Sequence, residues 1–368
     1  MSGDVPTRIV IFPAWQDNPY LNLLHLATGA AGYWLDRVKT LDDALAGIAE
    51  DPADTILHMN WTSPICQETP DPLEARERVD RFVGALEEGV RAGLKIIWTV
   101  HNTLPHDVVH PELELELHEA LARLAHAVHI INPGTADAVS EHYALPPERT
   151  RCIPHSSYQG VYGSPVERRA ARRRFGLADD ELAVLFLGQL RPYKGVLDLL
   201  RAASAAQRQR GSRVVLLLAG KARPEDVAAL DAAMPLDVRV VRHFAFVPDG
   251  QTPWWFGAAD LVALPYRNIL NSGSMLLAQT FGAPVLVPDE PHVVAHHGDE
   301  RWVRLYDRAR PVEALAEAIA AAPIDDADAR QAAFDAARAW SPYRMSQAML
   351  QLVRDVQAGR TVSELSSA

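Results

Sequence analysis

Short runs of aliphatic and β-branched residues alternate with longer amphipathic stretches along almost the whole chain. Arg8–Phe12 (RIVIF), Thr55–Met59, Lys95–Val100 and Ala127–Ile131 each read as a strand. Between them, Tyr20 to about Ala31, Leu73–Ala92 and Glu112–Ala125 place apolar residues at helical spacing. The pattern breaks at residues 151–163 (RCIPHSSYQGVYG), which are rich in turn formers, and then restarts. Ala183–Leu187, Arg213–Ala219, Asp237–Val241, Leu261–Leu264 and Pro284–Val287 read as a second set of strands with helices between. Pro311–Ala321, Asp328–Trp340 and Pro342–Gln357 follow as three helices, and residues 361–368 form a polar tail expected to fray. Strands alternating with helices of this length predict two α/β domains, each a doubly wound parallel sheet. The boundaries are 1–160 for the first domain, 161–340 for the second, and 341–368 for a last helix and tail.

Length supports the division, because a single core rarely grows to serve 368 residues. A net charge of −11 argues against a general nucleic-acid binder, which needs a basic face. The one arginine-rich stretch, ERRAARRRF at 167–175, lacks interleaved stacking aromatics and reads as a helix before a strand. Only Cys66 and Cys152 are present, so there is no disulfide framework and no cysteine metal site. The histidines, including His292, His296 and His297, have no carboxylates at metal-ligand spacing, and no metal or other cofactor is expected. The apolar runs are too short to span a bilayer and the start lacks a signal-peptide pattern, so a cytoplasmic protein with at most peripheral membrane contact is expected. Nothing bears on oligomeric state.

Ligands of open parallel sheets bind beyond the carboxyl ends of the strands, so the loops there are the expected places for chemistry. The loop after Ala183–Leu187 carries Gly188, Arg191 and Lys194 and runs into a helix, which makes it a candidate anion site. Four of 36 basic residues are lysines, and Lys194 and Lys221 both follow strands of the second sheet. Asn271, Ser272, Gly273 and Ser274 open another helix and offer hydroxyls and free amides to the same kind of ligand. Phe244–Asp249, with Val247, is placed to flank a flat ring. In the first domain Trp15, Asp17 and Asn18 follow the first strand, Trp61 the second, and His101, Asn102 and His106 the third.

FLGQLRPYKGVLDLL, FVPDGQTPWWFGAADLVALPYR and SMLLAQTFGAPVLVPD, in that order and spacing, resemble the carboxyl-terminal half of GT-B glycosyltransferases, close to family 4 and its group 1 relatives. IPHSSYQGVYG and TVHN extend the resemblance upstream. The resemblance implies the GT-B arrangement: two Rossmann-like domains facing across a cleft, with the last helix crossing back to the first domain. It also implies a glycosyltransferase taking a sugar from a GDP- or UDP-sugar, metal-independent, to a sugar, lipid-linked or small-molecule acceptor of polysaccharide or glycoconjugate synthesis. Lys194 matches the family's diphosphate lysine. Gln189 stands where the family has arginine, with Arg191 two residues on. His101 matches the histidine near the donor sugar and, with Asp17, is the catalytic candidate; Asp107 ranks behind His106 as a reserve. Gly188, Arg191, Lys194, Ser272, Gly273 and Ser274 would hold the diphosphate, and Asn271, Lys221, Val247 and His155 the nucleoside or sugar. Trp15, Asn18, Trp61, Asn102 and His106 would line the acceptor site. The family's two glutamates fall at about Ile269 and Leu277, so the retaining mechanism loses its carboxylates. A GT-B nucleotide-sugar epimerase and an inactive nucleotide-sugar-binding partner are the alternative readings.

Overall fold

The computed structural model describes residues 7–15, 18–105, 108–267 and 270–360. Asp17, His106, Asp107, Ile269 and the tail from Thr361 lie outside the described residues. The chain divides into two compact units, one of residues 1–155 with 342–368, the other of residues 156–341.

The first unit is a six-stranded parallel sheet in the order β2-β1-β3-β4-β5-β6. Its strands are β1 (Arg8–Phe12), β2 (Trp34–Arg37), β3 (Thr55–Met59), β4 (Lys95–Val100), β5 (Ala127–Ile130) and β6 (Thr150–Cys152). The helices are α1 (Pro19–Leu24), α2 (Leu26–Ala30), α3 (Leu41–Glu50), α4 (Ser63–Cys66), α5 (Pro72–Arg91), α6 (Pro111–Leu124) and α7 (Thr135–Val139). Alternating strand residues Val10, Phe12, Leu57, Met59, Ile96, Trp98 and Val128 pack with Phe82, Leu86 and Leu117 of α5 and α6 into one core.

The second unit opens with α8 (Arg168–Phe175) and continues β7 (Leu182–Leu187), α9 (Val196–Gln209), β8 (Val214–Ala219), α10 (Pro224–Ala232), β9 (Arg239–His243), α11 (Thr252–Ala258) and β10 (Leu261–Ala263). It closes with α12 (Gly273–Thr280), β11 (Val285–Pro288), α13 (Pro291–His297), β12 (Val303–Tyr306), α14 (Glu313–Ala321) and α15 (Ala327–Ala339). The strand order is β12-β11-β10-β7-β8-β9, all parallel. Every residue of β8 (VVLLLA) is buried, as a central parallel strand covered on both faces must be. The final helix α16 (Pro342–Gln357) packs against α1, α2 and β4 of the first unit.

Three strands escape the hydrophobic pattern. β2 (WLDR) and β6 (TRC) are edge strands with polar residues and half-open faces, and β12 (VRLY) is the opposite edge of its own sheet. α3 (LDDALAGIAE) was likewise not separated from its surroundings, although Thr40 caps it. The expected helix over Tyr20–Ala31 is broken at His25 into α1 and α2. β9 lies two residues later than expected, because Asp237 turns its carboxylate to the hydroxyl of Ser204 (2.8 Å) and precedes the strand. The arginine-rich stretch is a helix, but Arg172 is buried in it. Its guanidinium donates to the Asp260 carboxylate (3.1 Å) and to the Glu181 carbonyl (2.7 Å), while Arg168 holds the other oxygen of Asp260 (2.8 Å).

Candidate active site

Each sheet reverses its strand order at one place, and there the loops at the carboxyl ends diverge to leave a crevice. In the second unit that place lies between β7 and β10. The loop after β7 is bound to the loop after β10: the Arg267 amide donates to the Tyr193 carbonyl (3.0 Å) and its guanidinium pairs with Asp198 (3.2 Å). Gly195 sits between them at φ +67°, and a Cβ there would lie 1.8 Å from the Pro265 carbonyl oxygen. Only glycine fits that crossing.

Lys194 is thereby delivered to the β10 loop. Its Nζ donates to the Tyr266 phenol oxygen (3.2 Å) and lies 4.6 Å from the centre of the same ring. Burial pulls its pKa down, but the Tyr266 and Tyr193 phenols outweigh that and hold the ammonium above the ordinary lysine range. Tyr266 is buried and also bonds to Ser274 and Ser272; burial raises the phenol, while Lys194 and the two hydroxyls more than reverse it. Gly188 faces this group. A Cβ placed on it would be 3.5 Å from Ser274 Oγ and 3.8 Å from Lys194 Nζ. Ser272 caps α12, its oxygen accepting from the Met275 amide (3.2 Å), which leaves the Gly273 and Ser274 amides at the open first turn.

Other candidates of this unit lie elsewhere. The Arg191 side chain lines a hollow with Val196, Asp226 and Leu230, where its Nη1 has no partner among the described residues. Lys221 is exposed, Val247 is buried, and Asn271 is half-buried. Among the described residues no group of three or more His, Cys, Asp or Glu side chains is placed to hold a metal ion.

In the first unit the order reverses between β1 and β3. Trp15, after β1, meets Trp61, after β3, with ring centroids 4.8 Å apart. Trp61 in turn stacks on His101, after β4, at 4.0 Å and 14°. Tyr20 sets its ring edge against His101 (5.5 Å) and lies 4.6 Å from His155. Trp61, His101, Asn102 and His118 border a small recess of about 30 Å³. His101 Nε2 lies 3.3 Å from Asn60 Oδ1. Burial, with the neighbouring His129 and His155, holds its pKa well below the usual histidine value, so the ring is neutral at pH 7. Asn18 is engaged as the cap of α1, accepting from the Tyr20 amide (3.0 Å).

Behind the recess stands Glu114 of α6, with no exposed surface. Its carboxylate accepts from Thr62, from Cys66 Sγ (3.1 Å) and from Gln67 Nε2 (2.7 Å), and lies 3.2 Å from His118 Nε2. Burial alone would raise its pKa, but His118, Thr62 and Cys66 hold it below the ordinary carboxylate range. Gln67 also accepts from the Val109 (2.7 Å) and His110 (3.0 Å) amides, so one buried charge ties both loops of the recess together. Replacing Glu114 by glutamine sets an amide donor against donors already there. Denaturant unfolding is expected to show a loss of about 1–2 kcal/mol.

Residues 181–322, which carry every donor around Gly188, match the family of glycosyl transferases group 1. The chain carries a group 1 glycosyltransferase domain. Over 297 residues it is 25% identical to the GDP-mannose:glycolipid 4-beta-D-mannosyltransferase of Xanthomonas campestris pv. campestris, covering 80% of this chain and 77% of that protein. A D-inositol 3-phosphate glycosyltransferase of Thermobispora bispora is 32% identical over 154 residues, 39% of this chain and 36% of that protein. Among solved structures, Anabaena HepE in complex with UDP superposes with a TM-score of 0.70 at 15% identity, covering 95% of this chain and all of that one (100%). Sucrose-phosphate synthase from Thermosynechococcus elongatus gives 0.67 at 18% identity, with 96% and 100% covered. These structures establish the fold, the two Rossmann-like domains of GT-B. The family match and the relative matched over 77% of its length make the chain a glycosyltransferase of the hexosyl-transferring class.

Leu277, near which the resemblance places one of the family's glutamates, is buried in α12. Tyr266 and the Glu114 network were not found from the sequence. A tyrosine after a strand and a glutamate inside an amphipathic helix carry no local mark of what they will touch.

Proposed function

We propose that this glycosyltransferase moves a mannosyl group from GDP-mannose to a hydroxyl of a glycolipid acceptor, with inversion and without a metal. The observation that carries the reading is the pair of donors beside Gly188, Lys194 Nζ and, at the first turn of α12, Ser274 Oγ, with no carboxylate between them. The 25% identity to a GDP-mannose:glycolipid 4-beta-mannosyltransferase over 77% of that protein supports the donor and acceptor. A glycolipid acceptor would bring the protein to a membrane surface, although no described helix is long and apolar enough to cross one.

In this reading the acceptor hydroxyl gives its proton to a base as its oxygen attacks the anomeric carbon. The bond from that carbon to the diphosphate oxygen breaks, and its electron pair leaves with GDP. Lys194 and the hydroxyl and amide donors beside it meet the charge that develops there. His101, neutral and walled by Trp61 and Tyr20, is the base the recess of the first unit offers. Inversion is favoured because Leu277 replaces a carboxylate of the retaining relatives. The test is incubation of GDP-mannose, UDP-glucose and UDP-galactose with a lipid extract and with octyl glucoside. The expected result is GDP release from GDP-mannose with a β-linked mannoside by NMR. Turnover of UDP-sugars alone would overturn the donor, and an α-linked product the inversion.

A further inference from the structure

Tyr266 stands at the centre of the donor group and has no role in what has been argued so far. Its oxygen takes one N–H from Lys194 at 3.2 Å. Ser272 Oγ accepts from the Met275 amide and is also bonded to the phenol. The phenol's third partner is Ser274. Both held groups lie on the side where Gly188 leaves room: Ser274 Oγ and Lys194 Nζ are 3.5 Å and 3.8 Å from where a Gly188 Cβ would be. The loop after β7 supplies Lys194, the start of α12 supplies Ser274, and Tyr266 is bonded to both.

We propose that Tyr266 is a positioning residue of the donor site, fixing Lys194 and Ser274 on the two sides of Gly188 so that both meet the sugar-bearing phosphate of a nucleoside diphosphate. The assignment rests on the diphosphate reading above. It accounts for how this site is kept rigid without the acidic side chain that Leu277 replaces: the bonding is among a phenol, two hydroxyls and one ammonium, and adds no negative charge where an anion must sit. The sugar-bearing phosphate is the one whose charge grows as the glycosidic bond breaks, and a cation held in a fixed place serves it best. A nucleoside monophosphate lacks that group and gains nothing from the arrangement.

The test compares GDP with GMP, and UDP with UMP, by calorimetry on the wild-type chain and on Tyr266→Phe. The substitution keeps the ring, and with it the 4.6 Å contact with the Lys194 ammonium, and removes only the oxygen. Diphosphate affinity is expected to fall about tenfold while monophosphate affinity stays within twofold, so that the preference for the diphosphate shrinks. Ser274→Ala is expected to erode the same preference, and serves if the phenylalanine variant does not fold. Equal losses for mono- and diphosphate, or an unchanged diphosphate affinity, would overturn the assignment and leave the diphosphate site standing. A wild-type chain that binds neither GDP nor UDP would overturn the diphosphate reading itself, and Tyr266's role with it.

Discussion

Replacing Lys194 by alanine is expected to weaken GDP binding about a hundredfold, equivalent to about 2.7 kcal/mol. Three features make the effect large. The ammonium is half-buried, so water screens it poorly. It contacts the Tyr266 phenol and two aromatic rings, all neutral, and among the described residues no carboxylate pairs with it. The anion would therefore be its first full countercharge. Arginine is expected to restore little, because its charge is spread over a rigid planar fork where Lys194 presents a compact ammonium. Calorimetric titration with GDP decides the matter, and an affinity equal to that of the wild type would remove Lys194 from the site.

Acid is expected to unfold the first unit well above the pH at which carboxylates usually fail. Beneath the recess a buried chain of polar side chains crosses three strands. His129 Nε2 donates to the Ile153 carbonyl (2.8 Å), so its Nδ1 accepts from the Thr99 hydroxyl (2.9 Å). Thr99 Oγ1 accepts from His58 Nε2 (2.7 Å), and His58 Nδ1 accepts from His25 Nε2 (2.8 Å). Each imidazole is thus neutral with its proton on Nε2, and a further proton on His58 or His129 would set donor against donor. Burial lowers all three, His25 to about 3, His129 to about 4, and His58 well below the usual value. The unfolded chain takes up these protons near pH 6.5, and the folded chain refuses them until about pH 4. Stability is therefore complete above pH 6.5 and falls as the pH drops below it. Between pH 6.5 and 4.5 each such histidine costs about 2 kcal/mol. His25 and His129 together remove about 4 kcal/mol, a large share of the 5–15 kcal/mol that holds a typical domain. Urea unfolding at pH 7.0, 5.5 and 4.5 should show the midpoint dropping, and a His58→Leu, Thr99→Val, His129→Leu triple variant should show a shallower drop, His25 keeping its own share. A midpoint independent of pH over this range would refute the account.

The buried chain also shows where reading the sequence stops. His58 and His129 lie inside apolar runs, TILHM and AVHI, and those runs correctly announced strands. Nothing in either run reveals that the two histidines share a face of one sheet with Thr99 between them. That follows from the strand order, which local pattern does not specify. The anion loop was legible for the opposite reason. Gly188, Lys194 and Gly195 are neighbours in sequence, and the strand, turn and helix that give them meaning are local too. Ser272 illustrates the middle case. Its place before a helix was clear, but whether its oxygen caps the helix or meets a ligand depended on Met275 and Tyr266, and it caps. The edge strands β2 and β6 were missed because a strand with one unpaired side needs no continuous apolar run.

The return of α16 to the first unit has a consequence for how the protein is made. Met345, Met349, Leu352 and Val353 of α16 are buried, so the sheet face they cover is bare until they arrive. The residues up to His155 emerge from the ribosome first, yet α16 begins only at Pro342. At ordinary rates of translation that interval lasts on the order of 10–40 s. The second unit, continuous in sequence, has all its parts within that time and closes ahead of the first. The amino-terminal half is thus the later to mature, waiting as an open sheet that a holding chaperone would recognise until the carboxyl-terminal helix is released.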